Sequence, residues 1–203
     1  MKQKLNSTIL AIVILATLMI GQPVSASSQY SIIDLGTLGG ANSYPQAINK
    51  AGQVIGFSDM ANNDPHGFLW EGGVMTDLGT LGGSSSNPYA INEAGQIAGT
   101  SYLAGNASYH AFLWEGGVMT DLGTLGGSYS SPSAINEAGE IIGSSSIAGE
   151  AGTHAFVWAN GVMTDLGTFG GNTSNPIAIN QAGQIIGNAY TNEQCRLSCL
   201  PLG

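Results

Sequence analysis

Charge is scarce in this chain. Only 8% of its 203 residues are charged, and just four of them are basic. Cysteine is scarcer still: the two present, Cys195 and Cys199, both fall within the last nine positions. His66, His110 and His154 are the only histidines. Each shortage excludes something. So few Lys and Arg cannot form a patch that neutralises phosphates, so neither nucleic acid nor an anionic lipid surface is an expected partner. No HExxH run and no Cys-x-x-Cys pair occurs, which removes the common zinc patterns. The Asp-x-Asp-x-Asp-Gly calcium loop is missing, and so is the Gly-x-Ser-x-Gly elbow of serine hydrolases. Gly-Thr-Leu-Gly-Gly lacks the Lys-Ser/Thr of a phosphate loop and leads into polar loop residues, so it reads as a turn. No cofactor and no metal is expected. Ala/Leu/Glu/Lys runs are absent as well, and 31 glycines disfavour helix at roughly 1 kcal/mol per position.

What is present is order. Hydrophobic residues make up 43% of the chain, which separates it from disordered segments. Residues 1–26 read as a signal peptide: Lys2 and Lys4 give a positive start, Ile9 to Ile20 an apolar core, and Val24-Ser25-Ala26 the small-residue cleavage pattern. The apolar stretch is shorter than the ~20 residues a membrane span needs. Cleavage after Ala26, export and no membrane insertion are therefore expected. The mature chain would keep Lys50 and Arg196 against 13 carboxylates, a formal charge of −11.

Residues 27–190 are a tandem repeat. Asp-Leu-Gly recurs at 34–36, 77–79, 121–123 and 165–167, in steps of 43, 44 and 44. His66, His110 and His154 each open a His-Gly/Ala-Phe-Leu/Val-Trp run, and Ala-Ile-Asn recurs at 47–49, 90–92, 134–136 and 178–180. A period of about 44 residues suits a four-stranded β-unit. Within one period, Ala134–Asn136, Glu140–Ser145, His154–Trp158 and Val162–Leu166 read as strands. Asn160-Gly161 is a two-residue hairpin signal, and Gly72-Gly73 and Gly116-Gly117 hold its place elsewhere. Residues 167–175 read as a loop. Pairing across that hairpin sets Trp158 opposite Met163 and Phe156 opposite Asp165, leaving both faces largely apolar. Such a unit must be covered on both sides. The fold class is thus all-β: tandem antiparallel four-stranded units forming a β-propeller or propeller-like array, with a β-solenoid as the competing geometry.

These motifs resemble the bacterial HAF family of extracellular repeats, named for the His-Ala-Phe tripeptide found here at 110–112 and 154–156. The resemblance spans roughly residues 30–190, with Gly67 and Val54 as small departures in the first unit. It implies a secreted or cell-surface bacterial protein. It carries over no catalytic residues.

The array breaks off. Tyr30–Leu35 is a lone fourth strand, three complete units follow, and Ile177–Asn180 with Gln184–Asn188 start another, giving fifteen strands in all. Where the next His-Ala-Phe-Leu-Trp is due, after Gln194, the non-repeat tail of residues 191–203 runs Cys195-Arg-Leu-Ser-Cys-Leu-Pro-Leu-Gly203 instead. A one-base shift can turn codons for that tail into Ala-Ala-Phe-Leu-Ala-Tyr-Pro-Trp, so a frameshift is one reading. A genuine tail stapled by a Cys195–Cys199 disulfide is the other. An open array would expose an apolar face and strand edges, and self-association would follow.

No residue set reads as an active site. The repeated His, Trp and Asp (His66, Trp70, Asp77; His110, Trp114, Asp121; His154, Trp158, Asp165) are a structural signature, with His and Asp satisfying buried polar groups inside each unit. One His per unit cannot converge into a metal site when sheets lie ~10 Å apart. Glu140 and Glu150 are acids without repeated counterparts, in positions read as variable and exposed. Variable segments at 59–65, 102–109 and 146–153, and the short Ser/Asn-rich ones at 84–87, 128–131 and 172–175, are where specificity would reside. There Tyr102, Tyr109 and Tyr129 are the candidate ligand contacts. The expected function is a secreted, non-catalytic protein that binds extracellular protein or glycan through inter-strand loops. The alternatives are a secreted propeller-type glycan-cleaving enzyme and a structural matrix component.

Overall fold

In the computed structural model, which describes residues 12–16 and 30–191, sixteen strands form nearly all the regular structure. β1 (Ile12–Ala16) and β2 (Tyr30–Asp34) pair antiparallel. The first unit holds β3 (Gly39–Ile48), β4 (Val54–Met60), β5 (Pro65–Glu71) and β6 (Val74–Asp77). The second holds β7 (Gly82–Ile91), β8 (Ile97–Leu103), β9 (Tyr109–Glu115) and β10 (Val118–Asp121). The third holds β11 (Gly126–Ile135), β12 (Ile141–Ile147), β13 (Thr153–Ala159) and β14 (Val162–Asp165). A half unit of β15 (Ser174–Ile179) and β16 (Ile185–Ala189) follows. The strand beyond the fifteen read from sequence is β1, inside the segment read as a leader. The cleavage site at Ala26 and the tail with Cys195 and Cys199 lie outside the described residues.

Each unit is an antiparallel meander whose strands pair in chain order. The third unit has the register read from its hairpin, Trp158 opposite Met163 and Phe156 opposite Asp165. Its turn works because both central residues take positive φ, 52° at Asn160 and 84° at Gly161. That is the twist a two-residue hairpin needs.

The first strand of each unit differs from the sequence reading. Segments 84–87 and 128–131 are not loops but lie inside the ten-residue strands β7 and β11. Ser/Asn composition hides the strand, because pairing is supplied by a neighbour rather than by propensity. A register shift follows the proline, between Pro88 and Ala90 in the second unit. A bulge of this kind re-aims a side chain, and here the extra residue is Tyr89. The facing strand must come close, which is why it carries glycine. A Cβ on Gly99 would lie 2.6 Å from both Pro88 Cα and Phe112 Cζ.

Units stack face to face, and the core lies between them. Ile55 and Leu69 of the first unit pack with Leu78, Ile97, Phe112 and Trp114. Ala98, Ala111 and Leu113 of the second pack in turn with Leu122, Ile141 and Phe156. Buried serines fasten the same seams: Ser130 Oγ accepts from Ala111 N at 2.9 Å and donates to Gly123 O. Ser86 and Ser174 repeat this at the other two seams. The second and third units are also joined by a parallel bridge between Tyr109 and Tyr129, so their strands form one eight-stranded sheet.

Candidate functional site

The repeated His–Asp pairs form within each unit. His66, His110 and His154 Nδ1 lie 3.0, 2.8 and 2.8 Å from Asp77, Asp121 and Asp165. Each Asp also accepts from the backbone N–H two residues on, as Asp121 does from Gly123 at 2.8 Å. The pairs are half-buried to exposed, not enclosed as the sequence reading has them. Their place at the mouth of the β5–β6 type ladder, beside solvent, accounts for this. Among the described residues no three His, Cys, Asp or Glu side chains gather as a metal site. Trp114 belongs to the buried apolar cluster between the first two units, while Trp158 and Trp70 pack against the edges of two others.

Glu140 is not an irregular acid. It occupies the place of Gln53 and Gln96, where Asn136 Nδ2 donates to it at 2.6 Å as Asn92 Nδ2 does to Gln96 at 2.7 Å. The recurring asparagine itself has a role the sequence did not disclose. Asn49, Asn92 and Asn136 Nδ2 each donate to the backbone oxygen of the equivalent asparagine one unit on, at 3.1, 3.0 and 3.2 Å. A second set of rungs runs alongside: Lys50 N–H donates to Glu93, Glu93 N–H to Glu137, and Glu137 N–H to Gln181. The steps of 43 and 44 residues are the only sequence signal for these ladders.

The three tyrosines chosen from sequence converge. Tyr102 and Tyr109 are cross-strand partners on β8 and β9, and Tyr129 meets Tyr109 across the unit seam. Their rings form a row, with centroids 5.8 Å apart for Tyr102–Tyr109 and 4.9 Å for Tyr109–Tyr129. They stand on strands, not on loops, which fixes them more firmly than loop residues. Tyr102 and Tyr129 are exposed and Tyr109 is half-buried between them. Burial, then the neighbouring phenols of Tyr89, Tyr102 and Tyr129, raise the Tyr109 pKa above the ordinary 10.0. Its hydroxyl is therefore neutral at physiological pH.

Two grooves flank this row. One, of about 310 Å³, runs from Phe57 and Tyr89 to Tyr102 and Tyr109, with Asn87, Thr100 and Ser131 supplying amide and hydroxyl groups. The other, of about 300 Å³, lies between Tyr109 and Tyr129 and is edged by Ser144, Ser146 and Thr153. No charged side chain lines either groove among the described residues. Tyr89 Oη and Thr100 Oγ1 lie 3.2 Å apart, and Tyr44 stacks on Phe57 at 4.7 Å, so the floor is pre-set. Tyr89 and Phe57 escaped the sequence reading because each sits in a motif that otherwise repeats. Tyr89 stands in for Gln46, Ser133 and Ile177, and that break in the repeat was the available signal.

The chain matches no protein-family model and no curated protein. Among solved structures it is similar to the crystal structure of TolB from Acinetobacter baumannii, at 13% identity and a TM-score of 0.49. The match covers 80% of this chain and 43% of that one, so the chain spans less than half the TolB length.

Proposed function

We propose that this chain is an exported, non-catalytic binding protein that holds a neutral glycan in the tyrosine grooves of a propeller-like array. The tyrosine row carries the reading. Pyranose rings present an apolar C–H face and a rim of hydroxyls. A ligand of that kind wants flat aromatic surface with neutral donors and acceptors beside it, the usual make-up of a small-molecule site. The grooves offer that pairing and no countercharge. A glycan-cleaving role finds less support, since that chemistry uses two carboxylates flanking the bond and the described lining has none.

The propeller-like reading rests on the unit itself: four antiparallel strands in chain order, apolar on both faces, stacked on like units. Export rests on the pattern of residues 1–26 and on the resemblance to HAF repeats. Leader removal and retention of β1 exclude one another, because cleavage after Ala26 takes Ile12–Ala16 away from β2.

Glycan-array screening of the exported protein, followed by calorimetry, tests the proposal. Neutral oligosaccharides should bind, and Tyr109→Ala should weaken them about tenfold through loss of roughly 1.4 kcal/mol of ring contact. Binding only of proteins, binding indifferent to Tyr109, or turnover of a chromogenic glycoside would each refute it.

A further inference from the structure

The two ends of the array are unequal to its middle in a complementary way. Ile55, Ala98 and Ile142 hold equivalent places on their units and each is 0% exposed, with Ile55 and Ala98 packed against the next unit. Ile186 holds the same place on the half unit and is 51% exposed. At the other end Ile48 is 53% exposed, whereas its counterparts Ile91, Ile135 and Ile179 are half-buried. Pro45 is likewise exposed where Pro88, Pro132 and Pro176 are buried. Pro88 shows what such a proline does inside the array, since it packs on Gly67 of the preceding unit.

The polar groups follow the same rule. Asn180 Nδ2 donates to Gln184 at 2.7 Å, but the rung that its three counterparts send to the next unit has no receiver among the described residues. Asn49 O, at the opposite end, is the acceptor for which no preceding asparagine is present among them. The edge of β16 that would take a third strand is unpaired there too.

We infer that the half unit β15–β16 of one copy receives the first unit of a second copy, joined head to tail by the seam the chain already makes three times internally. The occupant is argued from continuity: the face that β15–β16 leaves open is covered elsewhere in this chain by a unit of similar sequence. Ile186 would meet the face carrying Ile48 and Pro45, and Asn180 Nδ2 would donate to Asn49 O. β15–β16 supply the first two strands of a unit and β2 the place of a fourth, so the halves do not overlap. One rung does not continue. Lys50 stands where Glu93, Glu137 and Gln181 present acceptors, so Gln181 N–H would find no oxygen there. Being a contact between unlike surfaces, the joint builds rings or filaments. This inference does not rest on the glycan reading.

Sedimentation of the exported full chain over a wide concentration range tests it. Self-association should appear, and Ile48→Glu and Ile186→Glu should each weaken it by about tenfold or more, because each would press an unpaired charge against an apolar seam. Both positions are exposed in the single copy, so circular dichroism of the variants should match the parent. Mixing the two variants should restore pairs of strictly 1:1 composition, since each keeps the one face the other lacks. Lys50→Glu should tighten association about tenfold by restoring the missing acceptor. A monomer at every concentration, as cover of β16 by residues 192–203 of the same chain would give, overturns the proposal. So does self-association that both variants retain, or a mixture that stays monomeric.

Discussion

The asparagine ladder can be tested by removing one inner rung and one outer rung. Asn92 is buried, and its side chain makes three hydrogen bonds: to Asn136 O at 3.0 Å, to Gln96 Oε1 at 2.7 Å and from Gln96 N at 2.9 Å. At about 1 kcal/mol each, Asn92→Ala should cost about 3 kcal/mol. For a domain of this size that lowers Tm by about 6–12 °C. Asn180 makes three bonds as well, but all stay within its own turn and the residue is exposed. Water can replace them, so Asn180→Ala should cost about 1 kcal/mol or less. Thermal melts followed by tryptophan fluorescence, at a concentration where the chain is monomeric, give both numbers. Equal losses from the two substitutions would refute the argument, because they would show that the bond between units contributes nothing beyond the turn it starts from.

Four other outcomes follow from the same geometry. Ser130→Ala leaves Ala111 N and Gly123 O without their shared partner at a buried seam, and urea melts should show a loss of about 1–3 kcal/mol. Gly99→Ala forces a methyl against Pro88 and Phe112, and the same melts should show about 1–3 kcal/mol lost to overpacking. Tyr109 has a raised folded pKa, so its contribution to stability is complete below the ordinary value of 10.0 and fades as pH climbs through the folded one. An absorbance titration at alkaline pH should show one phenol ionising late, absent in Tyr109→Phe. N-terminal sequencing of exported protein should begin at Ser27, and a start before Ile12 would show that β1 is kept.

The unit was legible in the sequence because its turns are chemically explicit. Asn160-Gly161 fixes a hairpin, the hairpin fixes register, and register sets Trp158 against Met163. Strand one was legible only at its apolar end. Its Ser/Asn half, Ser84 to Asn87 in the second unit, has the composition of a loop. It is held extended by partners far off in sequence, such as Ser86 Oγ receiving Gly67 N at 2.9 Å. The His–Asp pairs were legible as pairs but not in their burial. Distance along the chain foretells contact within a hairpin, whereas exposure depends on which edge of the stacked unit faces water.

Repetition hides and reveals different things. A residue that recurs at every step, such as the asparagine of Ala-Ile-Asn, is pinned by what every unit must do, which is to stack on the next. Its invariance marks it as architectural before any contact is seen, yet the partner, an identical residue about 44 positions on, cannot be deduced from a single unit. A residue that breaks the repeat is free of that duty. Tyr89, Tyr102, Tyr109 and Tyr129 occupy places that the other units fill with other residues, and they cluster around two uncharged grooves. Stacking alone gives no reason for four phenols to gather there, since equivalent places in the other units hold other residues. The excess over what the fold requires is therefore where the proposed glycan would lie, while the deficit at Ile48 and Ile186 is where the proposed second copy would dock.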